Sequence, residues 1–336
     1  MTMGHTSPRS CGSSRWLWSL LAVPLLCGQP TFAQATAAAP LTLVGAQRTV
    51  HASHAMLLAS ARAGARIVAV GDHGVVLLSD DNGRTFRQAR TVPVDAALTG
   101  VSFVDARQGW AVGHWGVILH SEDGGETWTV QRSDVETDRP LFAVHFFDAQ
   151  RGVAVGLWSL VLRTEDGGRQ WQTVSPPPPD GARKADLNLY GLFTDSKGRL
   201  YAAAERGKLL RSDDFGQNWV YLSTGYKGSL WTGLATADGS LFAAGMRGSL
   251  FRSVDDGRSW SAVATGSTSS ISAMAQVDRD LIAVGADGLL LRSSDGGKNF
   301  VTSPRADRLS LTAVIGAADG SEVLFSRQGV VVDSKP

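Results

Sequence analysis

One motif that could support carboxylate chemistry repeats along this 336-residue sequence. It has the form Ser/Thr-x-Asp-x-Gly-x-x-Trp/Phe and occurs six times, with steps of 42, 43, 48, 41 and 40 residues between successive aspartates. The aspartates are Asp81, Asp123, Asp166, Asp214, Asp255 and Asp295. Six equivalent copies cannot all form one active site. A short Asp in a tight turn accepts backbone N–H groups, Gly adopts a positive φ, and the aromatic ring covers a neighbouring repeat, so we predict a structural role.

Glycoside hydrolysis is the reaction to weigh first, because such Asp boxes are known from sialidases. The reaction requires two carboxylates that converge on one bond. A sialidase-like site further requires an arginine cluster and a tyrosine nucleophile backed by an acid. The tyrosines lie in no such sequence context; they are Tyr190, Tyr201, Tyr221 and Tyr226. We therefore predict no catalytic residue and no enzyme.

Metal and cofactor sites have little support in the sequence. His51 and His54 are three residues apart, and four other histidines are spread over different repeats, with no two closer than six residues: His73, His114, His120 and His145. The run that begins at Asp80 resembles the start of a calcium loop but lacks the glutamate that closes one. No glycine-rich loop precedes a helix, so no nucleotide site is indicated. We expect neither a metal nor a cofactor.

The composition excludes another class of partner. The 32 Lys and Arg residues balance 31 Asp and Glu residues, so no global basic field exists to hold nucleic acid. The 38 glycines favour many turns over long helices.

The first 35 residues have the pattern of a secretory signal peptide. Arg9 and Arg15 precede an apolar run over residues 16–27, and Ala33-Gln34-Ala35 suits signal peptidase. The run is too short to span a bilayer of about 30 Å. We predict cleavage near Ala35 and a periplasmic or secreted protein. Both cysteines lie in this segment, so residues 36–336 contain no disulfide.

The rest of the chain, residues 36–336, reads as one all-β domain of repeats. Each repeat contains four short apolar segments separated by Gly and Asp turns, which indicates an antiparallel sheet. Four strands at a period of about 40–45 residues are typical of propeller blades. The tail over residues 311–336 supplies three strands and no fourth, and residues 41–45 could supply it. We predict a monomeric seven-bladed β-propeller of four-stranded antiparallel blades, the last closed by this N-terminal strand.

Two sets of residues are candidates for binding. The turns between second and third strands collect on one face, opposite the Asp boxes, and we select Trp115, Trp158, Arg206, Arg247, His73 and His114 there. The two tryptophans either are exposed or lie flat on neighbouring blades. Arginines precede four of the boxes and form either salt bridges between blades or an exposed basic patch; they are Arg163, Arg211, Arg252 and Arg292.

The repeats resemble one known family. The segment Phe103-x-Asp105-x3-Gly109-Trp110-Ala111-Val112-Gly113, followed by Asp123-Gly124-Gly125-x-Thr127-Trp128, is similar to the photosystem II stability/assembly factor family of exported seven-bladed propellers. The resemblance covers essentially the whole of residues 36–336. It implies a non-catalytic factor that holds a membrane-protein subunit on the periplasmic or lumenal side during assembly.

By the same resemblance, an arginine-rich face does the holding. The four arginines that precede the boxes match it, whereas His120 and Leu78 take the same place in the other two repeats. A sialidase-like glycoside hydrolase or a glycan-binding Asp-box propeller remains the alternative function.

Overall fold

Short runs of β-branched, aromatic and small apolar residues, separated by Gly and Asp turns, form seven antiparallel sheets in chain order. The computed structural model describes residues 43–331. The predicted signal peptide, residues 1–35, lies outside the described residues. The prediction of an all-β, seven-bladed propeller is confirmed.

Six of the blades have four strands each, in sequence order across the sheet. Blade 1 contains β1 (Leu57–Ala63), β2 (Arg66–Gly71), β3 (Val76–Ser79) and β4 (Arg87–Gln88). Blade 2 contains β5 (Leu98–Phe103), β6 (Gly109–Gly113), β7 (Ile118–Ser121) and β8 (Thr129–Arg132). Blade 3 contains β9 (Leu141–Phe146), β10 (Gly152–Gly156), β11 (Val161–Thr164) and β12 (Gln172–Val174).

The second half of the ring repeats this pattern. Blade 4 contains β13 (Leu189–Thr194), β14 (Leu200–Ala204), β15 (Lys208–Ser212) and β16 (Val220–Ser223). Blade 5 contains β17 (Leu230–Ala235), β18 (Leu241–Gly245), β19 (Leu250–Ser253) and β20 (Ser261–Ala262). Blade 6 contains β21 (Ile271–Val277), β22 (Asp280–Gly285), β23 (Leu290–Ser293) and β24 (Val301–Thr302). Blade 7 contains β25 (Leu311–Gly316), β26 (Glu322–Ser326) and β27 (Gly329–Val330).

Helical structure in the described residues is limited to six 3-10 turns. One precedes blade 1 (Ala52–His54), and the others join second to third strands: Asp72–Gly74, His114–Gly116, Leu157–Ser159, Met246–Gly248 and Ala286–Gly288. Within residues 43–331, no helix is both long enough and apolar enough to cross a membrane.

The first strand of each blade contacts the first strands of its two neighbours, so these seven strands surround the axis. The second strand is enclosed by its sheet partners and by adjoining blades. All five residues of β10 are buried, for example. Small residues suit this crowded position, and each large apolar side chain buried there contributes about 1.5–3 kcal/mol.

Packing between blades is dense and largely apolar. Trp110 in blade 2 is fully buried and stacks on Phe146 of blade 3. Its indole Nε1 donates to the backbone O of Gly167 at 3.2 Å, so the buried N–H is satisfied.

The ring closes through direct contact between blades 7 and 1. Thr312 Oγ1 donates to Leu57 O at 2.5 Å, and the rings of Phe86 and Phe325 meet edge to face at 5.8 Å between centroids. Leu57 and Phe325 belong to one buried cluster. Side-chain packing over many residues therefore performs the role that we assigned to a shared strand.

The predicted closing strand is not found in the described residues. Blade 7 has three strands, and residues 43–49 form none; Leu41 and Thr42 lie outside the described range. Residues 43–49 instead run beside blade 1, where Ala46 N donates to Val92 O at 3.0 Å and Thr49 N donates to Gln88 Oε1 at 3.0 Å. The physical reason is apolar burial, because Leu43 and Ala46 pack against the cluster between blades 1 and 2.

Candidate binding face

The Asp box of blade 4 shows how each box turn uses its own polar groups. Asp214 Oδ1 accepts from Asn218 N at 2.8 Å and from Ser212 Oγ at 2.8 Å. Ser212 Oγ accepts in turn from Gly216 N at 2.8 Å. The indole N–H of Trp219, which is only 4% exposed, donates to Gly216 O at 2.9 Å. The carboxylate is therefore a structural acceptor inside one turn.

The other boxes repeat this hydrogen bonding, and it controls their ionisation. The side-chain and backbone hydrogen bonds from Thr85 lower the pKa of Asp81 from 3.8 to about 2. Those from Ser259 lower the pKa of Asp255 from 3.8 to about 2. The pKa values of Asp123, Asp166, Asp214 and Asp295 are lowered as well. For Asp123 and Asp214, partial burial raises the pKa, but the hydrogen bonds outweigh it.

An ionised carboxylate that already accepts several hydrogen bonds is a poor general acid, because acid catalysis requires a raised pKa. The six box turns lie at the end of the third strands, and we call this side of the propeller the box face.

The opposite side carries the turns between second and third strands, and we call it the turn face. Six of these turns place a residue other than glycine in the left-handed region, with φ between 52° and 59°. These residues are His73, Trp115, Trp158, Arg206, Arg247 and Asp287. A left-handed conformation costs an L-residue about 1–2 kcal/mol. Large side chains at a position that glycine would fill at lower cost suggest a role at the surface.

The next residue in each of these turns is also left-handed, and here the backbone permits little substitution. A Cβ added to Gly248 would lie 2.1 Å from Ser267 O. Blade 3 differs, since Ser159 takes this place with a φ of 55°. Its N and Oγ both donate to Leu187 O, at 2.7 and 3.1 Å. Leu187 belongs to the longer connection between blades 3 and 4, which joins Val174 to Leu189.

The selected turn residues all lie on the turn face, spread around the ring. Trp158 is 60% exposed, whereas Trp115 is half-buried and packs against the cluster between blades 1 and 2. Of the two alternatives for the tryptophans, exposure therefore describes Trp158, and packing against a neighbouring blade describes Trp115. His73, His114, Arg206 and Arg247 are exposed. Arg206 lies 3.7 Å from Asp186, and Arg247 forms no ion pair within the described residues.

The four arginines before the boxes all contact other groups of the propeller. Arg163, whose side chain is 12% exposed, pairs with Glu165 at 2.5 Å and donates to Phe215 O of blade 4 at 3.1 Å. Arg211 pairs with Asp213 at 3.0 Å and donates to Asp256 O of blade 5.

Arg252 and Arg292 are engaged in the same way. Arg252 donates to Ser240 Oγ at 2.9 Å. Arg292 joins Asp280 of its own blade, at 3.1 Å, to Glu322 of blade 7, at 2.6 Å. The structure thus places all four side chains in contacts within and between blades, and Arg292, whose side chain is 43% exposed, also reaches the surface.

Tyr190 reaches an acid that the sequence does not place beside it. Its hydroxyl donates to Glu205 Oε1 at 3.1 Å, and Asn188 Nδ2 donates to the same oxygen at 3.0 Å. Burial, and after it the negative charge of Glu205, raises the pKa of Tyr190. A carboxylate within hydrogen-bond reach can act as the base for a tyrosine nucleophile, so this pair matches one element of a sialidase-like site.

The axis opens on the turn face into a cavity of about 620 Å³, which we call the axial mouth. The second residue of every first strand lines it, and these are Leu58, Thr99, Phe142, Tyr190, Trp231, Ser272 and Thr312. Aromatic residues occupy this position in blades 3, 4 and 5, and the rings of Phe142 and Tyr190 stack at 5.6 Å between centroids. Our sequence reasoning missed this ring. The sequence signal that could have revealed it is the residue that follows the first Leu or Ile of each repeat.

The axial mouth has few charges. Among the described residues that line it, Arg327 carries the single formal charge. Likewise, no group of three or more His, Cys, Asp or Glu in residues 43–331 is placed to hold a metal ion.

Blade topology and box geometry together define the class: a seven-bladed Asp-box β-propeller. Residues 88–276 match the family described as photosynthesis system II assembly factor YCF48. That match spans more than half of the 336 residues, and the chain belongs to this family.

Solved structures of the same fold include members of that family. One is YCF48 bound to D1 peptide, with a TM-score of 0.68 at 18% identity, covering 88% of this chain and 97% of that one. Another is YCF48 from Cyanidioschyzon merolae, with a TM-score of 0.67 at 18% identity, covering 85% of this chain and 97% of that one. No curated protein matches the sequence.

Proposed function

We propose that this protein is a non-catalytic assembly factor that binds a membrane-protein subunit through its turn face, on the periplasmic side of the membrane. Membership of the assembly-factor family is the observation that carries the proposal. The structural relative that holds a D1 peptide supports a partner of this kind, since D1 peptide is what that protein binds.

The turn face has the residue types that anchor protein partners. Trp and Arg are enriched among residues that dominate binding energy. Trp158 is 60% exposed, and Arg206 and Arg247 are exposed on turns that share the same left-handed backbone conformation. Side chains on rigid turns lose little backbone entropy when they bind.

Export follows from the N-terminal pattern at residues 1–35. If it is correct, the protein isolated from the source organism begins near Thr36 and leaves the cell in the periplasmic fraction. N-terminal sequencing of the isolated protein tests this, and an intact Met1 would contradict it.

Recovery of a partner tests the function. The full chain carries a C-terminal tag, is expressed in the source organism, and is purified from detergent-solubilised membranes. We expect a membrane subunit to co-purify with the unaltered protein and to be lost from Trp158→Ala/Arg247→Ala. The matched control, Val254→Ala/Arg258→Ala, changes exposed side chains of the box face and should recover the subunit normally. Equal recovery by all three proteins would place the partner elsewhere.

The absence of catalysis has its own test. The purified protein should not release the fluorophore from fluorogenic sialosides or glucosides above the rate in buffer. Turnover that disappears in Tyr190→Phe or Glu205→Gln would instead support the glycosidase alternative, because these two side chains form the tyrosine–acid pair beside the axis.

A further inference from the structure

We propose that the axial mouth holds one bulky apolar side chain of an extended partner segment, with acidic side chains before and after it in that segment. The inference rests on the proposed partner-binding function and assigns the chemistry that one site on the turn face recognises.

The shape of the axial mouth suits one large side chain. Its volume of about 620 Å³ exceeds what a single aromatic side chain occupies, which leaves room for the backbone that carries it. Phe142, Tyr190 and Trp231 line the axial mouth on three successive blades, and the rings of Phe142 and Tyr190 stack on each other. Apolar Met56 and Leu58 line the opposite side. Aromatic walls bury large areas of an apolar group at small entropic cost.

The polar groups of the axial mouth suit a peptide backbone. Thr99, Ser272 and Thr312 place hydroxyls around the rim on blades 2, 6 and 7. Hydroxyls both donate and accept, so they can serve the N–H and C=O groups of an extended segment. Thr99 and Thr312 already donate to backbone oxygens, Thr99 to Leu141 O at 2.6 Å and Thr312 to Leu57 O at 2.5 Å, and they retain acceptor capacity.

The charges around the axial mouth suit an acidic segment. Arg327 lines the cavity, and Arg247 and Arg308 lie on the same face; none of the three forms an ion pair within residues 43–331. The nearby carboxylates already accept hydrogen bonds from neighbouring side chains. Glu205 accepts from Tyr190 and Asn188, and Asp287 accepts from Ser269 Oγ at 2.9 Å.

Three separate guanidinium groups favour acids distributed along a segment over the single carboxylate of a chain end. Arg247 belongs to the turn of blade 5, Arg308 to the connection between blades 6 and 7, and Arg327 to the turn of blade 7. Guanidinium–carboxylate contacts of this kind are directional and set the register of the bound segment.

Peptide binding to the full chain tests the proposal. The probe is the fluorescein-labelled, end-blocked peptide Gly-Glu-Asp-Phe-Glu-Asp-Gly, followed by fluorescence anisotropy at low salt. We expect about a tenfold weaker affinity when Phe in the peptide is replaced by Ala, and a similar loss in Trp231→Ala. Arg327→Gln should weaken binding and reduce its dependence on salt.

Two further variants separate loss of the site from loss of the fold. Ser272→Trp adds bulk from the polar side of the axial mouth, removes no packing, and should block the peptide. Phe215→Ala removes an aromatic ring from the box face and should leave affinity unchanged. Thermal unfolding of each variant identifies any that is destabilised.

Three outcomes would overturn the proposal. They are equal affinity for the Phe and Ala peptides, normal binding by both Trp231→Ala and Ser272→Trp, and tighter binding of a neutral peptide that ends in Phe with a free carboxylate. If these mouth variants still recover the membrane subunit and no peptide binds, the axial mouth is not the site and the proposed function stands. If the unaltered protein recovers no subunit, the proposed function itself fails.

Discussion

The two faces of the propeller are built on the same repeat but diverge in opposite ways. On the box face, the Ser or Thr, the Asp and the Gly recur in six turns, and their polar atoms bond to one another. On the turn face, six turns share one left-handed backbone conformation, yet the residue there is His, Trp, Trp, Arg, Arg or Asp. Uniform side chains mark the turns that stabilise the fold, whereas varied side chains on a uniform backbone are what we expect of the face that we propose binds the partner.

Acid should remove the contribution of the whole box face at once, and this is the largest effect we expect. The box aspartates have lowered pKa values in the fold, about 2 for Asp81 and Asp255 against 3.8 in a free chain. Their contribution is complete above pH 3.8 and is lost as the pH falls from 3.8 towards 2. Circular dichroism between pH 6 and pH 2 should show cooperative unfolding in that window.

His145 gives an internal control for the acid experiment. Burial lowers the pKa of His145 from 6.5 to about 4, so its contribution is present above pH 6.5 and is lost as the pH falls through this range. His145→Gln should remove this earlier loss of stability and leave the later transition in place. A later transition that moved with His145 would show that the boxes are not its cause.

Two tryptophans offer the next comparison. Trp219 of the blade 4 box is 4% exposed, and Trp219→Ala should lower the free energy of unfolding by about 3–5 kcal/mol. Trp158 of the turn face is 60% exposed, and Trp158→Ala should change the free energy of unfolding by less than about 0.5 kcal/mol. Urea unfolding followed by circular dichroism measures both. A large loss in Trp158→Ala would show that this ring packs against the fold.

The smallest effect that we expect comes from two substitutions in one turn, which separate the role of the backbone from that of the side chain. Arg247→Gly should raise the free energy of unfolding by up to about 1 kcal/mol, because glycine adopts the φ of 56° without strain. Gly248→Ala, one residue on, should lower it by more than about 1 kcal/mol, since its Cβ would meet Ser267 O. Both are measured by urea unfolding. If Arg247→Gly destabilised the protein, the arginine would have a structural role.

The contacts of some residues could be predicted from the sequence, and those of others could not. The box turns were predictable because their hydrogen bonds join residues two to four positions apart, as in Ser212, Asp214 and Gly216. The turn face followed from the same repeat. By contrast, Arg163 reaches an oxygen 52 residues away, and Arg292 reaches Glu322. Local sequence could not show that these arginines are already engaged.

The two failures of prediction share a cause. The closing strand was assigned by counting strands, but Leu43 and Ala46 instead bury apolar surface beside blade 1. The axial mouth was missed because the seven first-strand residues that line it are single positions about 40 residues apart, with no common side chain. Tyr190 and Trp231 read as ordinary strand aromatics until the ring brings them to one opening.

The sequence by itself determined the repeat, the number of blades and the box turns, because these depend on strand periodicity and on hydrogen bonds within a few residues. Tertiary structure decided which charges are paired, how blades 7 and 1 meet, and which residues face the axis. Those outcomes depend on the side-by-side packing of blades, which brings together residues as distant as Thr312 and Leu57.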